Sequence, residues 1–288
     1  MIINYGICPL SVVSVRSAPA HKAEMISQIL FGELFEVLDR KGKQWLQVQC
    51  PWDKTIGWIR TNQAKAITPT EYNDYYSDQA YSLELFQAIM GEKEFLAIPL
   101  GAQLPKFDGI RLQLGDLSFT FSGQAVFSNE IKSPIDFVLK VARRYLNAPY
   151  QWGGRSPFGI DASGLTQMIY KMAGIHLPRV ANQQVYCGDN IDFIEEAQAG
   201  DLAFFQNRLG KITHTGLILA EGLILHAHGK VRIDKIDHFG IFDEEQGKYT
   251  HQLRLVKRMI DQNGEKTAIF WNGEEYEPLS KTVSVGDF

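Results

Sequence analysis

The sequence predicts an α+β protein in which small β-rich modules precede a larger domain of helices and adjacent strands. Short segments before residue 130 alternate between apolar and polar residues, helix signals begin at Ser133-Pro134, and strand-like segments follow Gly200-Asp201. Hydrophobic residues make up 45% and charged residues 22% of the 288 positions. This composition supports a folded core and excludes a disordered chain, a coiled coil or collagen.

The first module, residues 1–72, is predicted to be a small β-barrel. Residues 33–38 and 45–49 alternate and are separated by a Lys41-Gly42-Lys43 turn, and further strands are expected at 12–15 and 57–59. The Tyr-rich stretch 71–78 is interpreted as a linker. Residues 73–130 are assigned to this linker and a second β-rich module. That module is predicted to have a short helix near 83–86 and strands at 95–98, 110–114 and 117–121.

The third domain, residues 131–258, is predicted to open with two helices. Ser133 is suited to an N-cap, Pro134 to the first helical position and Asp136 to a capping box, and apolar spacing continues to residue 146. A second helix over 165–172 is ended by Gly174. Strands are expected at 202–205, 213–219, 222–228, 231–233 and 253–256. In the tail, residues 259–288, the Asn272-Gly273 pair predicts a hairpin.

Charge and cysteine content narrow the functional classes. The chain has 29 basic and 33 acidic residues, a net charge of −4, which argues against nucleic acid or an anionic membrane as partners. Apolar runs are too short for a transmembrane helix. The N-terminus does not resemble a secretory signal, and three scattered cysteines do not form a disulfide framework. We expect a cytoplasmic protein, or a periplasmic one if a signal peptide has been removed.

A Gly-rich segment, residues 150–165, leads into the start of the second helix. Asp161 lies near the expected N-cap and position 162 in the first turn. First-turn amides and the helix dipole favour an anion there, so a thiol at this position would become a nucleophilic thiolate. The residue present is Ala162.

Histidines follow on two strands that are expected to form a hairpin. Counting across the turn pairs His214 with a position between 226 and 229, and His226 and His228 share one strand face. A lone histidine in an apolar strand is usually structural. A metal site would be another use of clustered histidines, but supporting cysteines or carboxylates at ligand spacing are missing. We therefore expect no metal, and thiol–imidazole chemistry would need no cofactor.

Several motifs follow in order along the chain: Gln151-Trp152-Gly153-Gly154, Gly159-Ile160-Asp161, Ser163-Gly164-Leu165, Gly174-Ile175-His176-Leu177-Pro178-Arg179, Gly200-Asp201-Leu202, His214 and His226-Ala227-His228-Gly229. Together they resemble the NlpC-type cell-wall cysteine peptidases, whose catalytic domain is papain-like. The resemblance covers about residues 130–258. The N-terminal part resembles the bacterial SH3-like modules of one subgroup, through Val15-Arg16-Ser17-Ala18-Pro19, Trp45-Leu46-Gln47-Val48 and Gly57-Trp58-Ile59. The implied architecture is two SH3-like domains followed by a papain-like domain.

The resemblance also implies roles for individual residues. Position 162 corresponds to the nucleophile, His214 to its general base and His226 to the group that orients the base. Asp161 corresponds to the carboxylate that meets the substrate α-amine, although a plain N-cap is the alternative. The other implied substrate-binding residues are Ser163, Trp152 and Arg179, with a structural core role as the alternative for Trp152.

The chain departs from the family pattern at two positions. Ala162 stands where the family has cysteine, while the surrounding motif is intact. We hypothesise an engineered Cys-to-Ala change, made to hold a substrate uncut; the alternative is a natural pseudoenzyme. Thr55 stands where the subgroup often has a tyrosine that helps to recognise the substrate amine. Either a neighbour such as Trp52 takes over this role or the preference for a free N-terminus is weakened.

The resemblance implies an endopeptidase that cuts murein stem peptides between γ-D-Glu and the diamino acid. Short peptides with a free N-terminal L-Ala, as in peptidoglycan recycling, are the expected partners, and we expect a monomer. The alternative is a non-catalytic protein that binds cell-wall peptides; a third hypothesis is acyl transfer to an amine. The choice between meso-diaminopimelate and lysine stays open.

Overall fold

The alternating segments of the first module form strands. The computed structural model of the chain describes residues 4–77, 80–261 and 264. Seven strands pair antiparallel in the order β3-β2-β6-β5-β4-β1-β7, and their inward side chains, among them Val15, Leu46 and Val48, form a hydrophobic cluster of their own. The strands are β1 (Tyr5–Ile7), β2 (Val12–Arg16), β3 (Met25–Leu30), β4 (Leu34–Lys41), β5 (Trp45–Gln49), β6 (Ile56–Arg60) and β7 (Lys65–Ile67).

The predicted linker at 71–78 is wrong for its described part, because helix α1 (Pro69–Ser77) occupies that stretch. A capping box forms the helix start: the Thr68 amide donates to Glu71 Oε2 at 2.8 Å, and the Glu71 amide donates to Thr68 Oγ1 at 3.2 Å. The side chains of Tyr72 and Tyr75 are buried in the adjoining core. The tyrosines therefore anchor a helix instead of marking a flexible connection.

The second module is β-rich, as predicted, but its expected helix near 83–86 is absent from the described residues. Leu83 instead bonds through its amide to the Gln124 carbonyl, because this segment connects two strands. The strands form a four-stranded sheet, β10-β9-β12-β11, and a separate pair, β13-β8. They are β8 (Ala80–Ser82), β9 (Phe86–Met90), β10 (Phe95–Pro99), β11 (Arg111–Leu114), β12 (Leu117–Thr120) and β13 (Ala125–Phe127).

The third domain packs helices against a sheet, as the α+β prediction requires. Its helices are α2 (Pro134–Arg144), α3 (Ala162–Met172) and the short α4 (Ala181–Gln184). Of these, α4 was not predicted from the sequence. Its strands are β14 (Arg155–Ser156), β15 (Gly159–Ile160), β16 (Asp189–Ile191), β17 (Leu202–Gln206), β18 (Ile212–Ile218), β19 (Leu223–His228), β20 (Lys230–Ile236), β21 (Gly240–Asp243) and β22 (Lys248–Arg258). Pro134 begins α2 as expected, but within the described part of the chain Ser133 has no side-chain capping bond.

Six strands of this domain close on themselves. The order is β16-β22-β17-β18-β19-β20-β21, and β21 also pairs with β22, so that β17 to β22 form a barrel and β16 extends it at β22. Side chains of α2 and α3, such as Val138, Leu165 and Met168, join the barrel in one buried core. Leu30 and Leu100 of the N-terminal modules extend the same core. The modules and the third domain are therefore packed together.

A buried group of charges, the junction cluster (Glu33, Arg155 and Lys171), joins the first module to the third domain. Arg155 Nη2 lies 2.7 Å from Glu33 Oε1, and Lys171 Nζ contacts the same oxygen. All three side chains are at most 2% exposed. Because Lys171 lies on α3, this cluster attaches the first module directly to the helix that begins at position 162.

Two further predictions concern the C-terminal tail and a membrane-spanning helix. The hairpin predicted at Asn272-Gly273 lies outside the described residues. Among the described ranges, 4–77, 80–261 and 264, no helix has both the length and the apolar character needed to cross a bilayer.

Candidate active site

Position 162 occupies the first turn of α3, as predicted. Asp161 is the N-cap: its backbone is extended, and its Oδ1 accepts a hydrogen bond from the Gly164 amide at 2.7 Å. The other oxygen, Oδ2, accepts from the Gly153 amide at 2.8 Å, which ties the Gly-rich loop to the helix start. First-turn amides and the helix dipole favour negative charge at this point. The local environment suits a thiolate, although Ala162 supplies none.

Two histidines and a carboxylate form a hydrogen-bonded histidine relay (His214, His226 and Asp234) on three neighbouring strands. His214 Nε2 lies 2.9 Å from His226 Nδ1, and His226 Nε2 lies 2.8 Å from Asp234 Oδ2. A carboxylate only accepts, so His226 donates from Nε2 and accepts at Nδ1. His214 then donates from Nε2. Its Nδ1 carries the lone pair that a general base needs.

Burial favours the neutral form of both imidazoles. Burial lowers the pKa of His214 well below its usual range, and the neighbouring histidines lower it further. Burial also lowers the pKa of His226, although the bond to Asp234 partly offsets that effect. In its neutral form His214 keeps the Nδ1 lone pair that a general base uses to take a proton.

The hairpin count is confirmed by the strand register. Gly216 pairs with His226, and the same antiparallel register gives position 214 a partner within the predicted interval 226–229. Extending this register puts His228, not His226, directly opposite His214. His226 is nevertheless the hydrogen-bonded neighbour, reached diagonally across the sheet.

A cleft of about 420 Å³ brings the helix start and the relay together. Ala162 of α3 and His214 of β18 both line it. The first module supplies part of the opposite side through Glu24 and Ile26. Trp152 is 60% exposed at the rim, and its Nε1 donates to Glu24 Oε1 at 2.6 Å. Trp152 is thus a cleft residue as implied, and its role as buried core is excluded.

Asp161, Ser163 and Arg179 form a connected group in the cleft. Arg179 Nη1 and Nη2 donate to the two oxygens of Asp161 at 2.9 and 2.7 Å, and Nη1 also lies 3.1 Å from Ser163 Oγ. Asp161 therefore acts as an N-cap and as the partner of Arg179. Its contact with a substrate amine stays a prediction.

The structure does not bring Trp52 and Thr55 to the cleft. Trp52 is 8% exposed, and its ring faces the cations of the junction cluster, with Arg155 Cζ 4.4 Å and Lys171 Nζ 4.7 Å from the ring centroid. Thr55 donates its amide to Asp53 Oδ1 at 3.0 Å. Trp52 therefore packs on the junction cluster, and neither Trp52 nor Thr55 lines the cleft.

Three residues of the site were missed by sequence reasoning: Glu24, Asp234 and His251. Asp234 could have been predicted by continuing the strand pairing into the next strand. There His226 pairs with Arg232, and Asp234 lies two residues further along, on the same face of the strand. His251 comes from β22, which pairs with β17 and β21. Its ring stacks on His214 at 4.1 Å between centroids. Such long-range contacts, like that of Glu24, leave no local signal.

Two known protein families match this chain, one in the third domain and one in the first module. The description "NlpC/P60 family" matches residues 147–252, and "Bacterial dipeptidyl-peptidase Sh3 domain" matches residues 15–63. The SH3 match covers the first module, so a second SH3-like domain at 73–130 stays a prediction.

Relatives of known name extend over most of the chain. A "Gamma-D-glutamyl-L-lysine dipeptidyl-peptidase" from Bacillus subtilis is 31% identical over 217 residues, which cover 70% of this chain and 71% of that protein. A protein of the same name from Bacillus cereus is 27% identical and covers 79% and 75%.

Solved structures show the same fold. A crystal structure of an NlpC/P60 family protein from Bacillus cereus covers 88% of this chain and 99% of its own, with a TM-score of 0.74 and 22% identity. An NlpC/P60 endopeptidase from Photobacterium damselae covers 88% of this chain and 70% of its own, with a TM-score of 0.68 and 17% identity. With its family match, its similar relatives and this fold, the chain belongs to the NlpC/P60 family.

Proposed function

We propose that the cleft binds short murein stem peptides and that, with cysteine at position 162, it hydrolyses the bond between γ-D-Glu and the diamino acid. The observation that carries the proposal is the position of Ala162, at the start of α3 in the cleft that His214 also lines. The names of the Bacillus relatives support this substrate class.

The chemistry would follow from the site residues. A thiol introduced by Ala162→Cys would give its proton to His214 Nδ1, and the thiolate would attack the γ-carbonyl carbon of D-Glu. The backbone N–H at 162 would donate to the developing oxyanion. The His214 imidazolium would then protonate the leaving amine of the diamino acid, and water would hydrolyse the thioester. His226 and Asp234 hold the tautomer that leaves Nδ1 free for these transfers.

Glu24 supports a preference for peptides with a free N-terminus. It is an exposed acid at the edge of the cleft, contributed by the first module, and Trp152 engages its Oε1. Its second oxygen can accept from the ammonium group of an N-terminal L-Ala. Glu24 would thereby supply the amine contact that was expected of Thr55 or Trp52.

The chain as it stands has no nucleophile at position 162, so we expect binding without hydrolysis. Our first hypothesis is that alanine has replaced a native cysteine. The second is a natural peptide-binding pseudoenzyme, which Ala162 itself favours. We further propose that the protein is monomeric and cytoplasmic and that it recycles released peptides. Residues 73–130 would include a second SH3-like module.

The test compares Ala162→Cys with the unchanged protein on L-Ala-γ-D-Glu-meso-diaminopimelate and on its L-Lys counterpart. Mass spectrometry of the product should detect L-Ala-D-Glu with the Ala162→Cys variant alone. Addition of His214→Gln to that variant is the matched control and should abolish release. Retained binding of the tripeptide without cleavage by either protein would favour the pseudoenzyme, and failure of both proteins to bind would refute the proposal.

A further inference from the structure

Three histidines gather where strands β18, β19 and β22 approach one another. One ring nitrogen from each of His214, His226 and His251 lies within 4.8 Å of the other two. His214 and His226 are buried, and His251 is half-buried. We propose that these three imidazoles form a site for a zinc-class transition-metal ion, a role separate from peptide binding.

The surrounding contacts orient two of the rings for such an ion. Asp234 Oδ2 accepts from His226 Nε2 at 2.8 Å, and Asp234 Oδ1 accepts from Arg232 Nη2 at 2.8 Å. His251 Nδ1 lies 2.9 Å from Thr250 Oγ1, which turns its Nε2 away from that hydroxyl. A carboxylate bonded to the far nitrogen of a metal-binding histidine is the usual outer partner of zinc ligands.

The spacing of the nitrogens fits a small ion. Zn–N bonds of about 2.0–2.1 Å at tetrahedral angles separate ligand nitrogens by about 3.3 Å. His214 Nε2 and His226 Nδ1 are 2.9 Å apart, so they need to separate only slightly. The His251 nitrogen lies up to 4.8 Å from the other two nitrogens, so the His251 side chain must move closer to them to bind the same ion. Three imidazoles leave a fourth position for water.

Metal binding and base catalysis would exclude each other at His214. Coordination requires the lone pair of Nε2, so the proton that Nε2 donates to His226 in the relay must move to Nδ1. Nδ1 then no longer carries the lone pair that a base needs. The ion would therefore hold His214 in the inactive tautomer.

The experiment uses the untagged, chelator-treated chain with Ala162 in place, titrated with ZnCl₂ by calorimetry. One Zn²⁺ per chain is expected, and Co²⁺ should give the visible absorption of a tetrahedral complex. His251→Gln should weaken Zn²⁺ binding by at least about tenfold, and Asp234→Asn by about 10–100-fold. His228→Gln is the matched control, an exposed histidine beside the cluster, and should leave the affinity unchanged.

Each outcome bears on the proposal. Equal Zn²⁺ affinities of the unchanged chain and His251→Gln, or a dissociation constant above about 1 mM, would overturn it. Circular dichroism checks the fold of each variant. If His251→Gln does not fold, ¹⁵N shifts of the imidazole nitrogens in the unchanged chain must move with Zn²⁺ on His214, His226 and His251. Because the titration contains no peptide, failure of the peptidase assay leaves this result intact.

Discussion

Arg155 and Glu33 form a two-pronged ion pair buried between the first module and the third domain. The guanidinium Nη1 and Nη2 lie 2.9 and 2.7 Å from the two carboxylate oxygens. Burial alone would raise the pKa of Glu33, but Arg155 and Lys171 lower it to about 2. Arg155 precedes the helix start and Lys171 lies on that helix, so one carboxylate of the first module holds two parts of the site.

Removal of this carboxylate should destabilise the whole chain. Glu33→Gln keeps the side-chain shape but leaves two buried cations without their anion, and loss of one member of a buried pair costs about 3–5 kcal/mol. Urea unfolding measures the loss. Glu92→Gln, at an exposed position, is the matched control and should change the free energy of unfolding by less than about 0.5 kcal/mol. A loss below about 1 kcal/mol for Glu33→Gln would contradict the prediction.

The same pair predicts an acid-dependent loss of stability. The pKa of Glu33 is about 2 in the folded chain and 4.5 without these interactions, as in the unfolded chain. Between these pH values the unfolded chain therefore binds more protons than the folded chain. The stabilisation is complete above pH 4.5 and disappears as the pH falls towards 2, a total of about 3 kcal/mol. Unfolding curves at successive pH values should show this decline. The difference between the unchanged chain and Glu33→Gln should shrink over the same interval, and a constant difference would disprove the assignment.

Gly153→Ala should disturb the loop that leads to the site. Gly153 has φ +76°, and a Cβ there would lie 2.3 Å from the Met25 carbonyl oxygen of the first module. Gly42→Ala is the matched control, since its φ is +59° and a Cβ there meets nothing within 4 Å. Strain at positive φ costs about 1–3 kcal/mol. Thermal unfolding should therefore show a larger decrease for Gly153→Ala, and equal decreases would argue against a close approach.

Glu24→Gln should weaken binding of peptides that carry a free N-terminal amine. A hydrogen bond to a charged group contributes about 1.5–3 kcal/mol, so its loss should raise the dissociation constant at least about tenfold. Calorimetry on the Ala162 chain with L-Ala-γ-D-Glu-meso-diaminopimelate measures the effect without turnover. The N-acetylated tripeptide serves as the control ligand and should bind both proteins equally. An equal loss for both ligands would assign Glu24 a structural role only.

Local patterns in the sequence were sufficient for much of the fold. Alternation located the strands Val12–Arg16 and Trp45–Gln49, and Asp161 marked the start of α3. The errors at 71–78 and 83–86 have a local cause. The capping box of Thr68 and Glu71 was overlooked, and the apolar residues near Leu83 belong to a connection held by Gln124.

The sequence alone determined the family motifs, the helix start at position 162 and the pairing of the two histidine strands, because each depends on residues close in the chain or on a short hairpin. Only the tertiary structure decided that Glu24 reaches the cleft, that Trp52 turns towards Arg155 and Lys171, and that His251 stacks on His214. These contacts join segments far apart in the chain, and their geometry depends on how the modules and the closed barrel pack. Short-range sequence patterns do not predict such long-range packing.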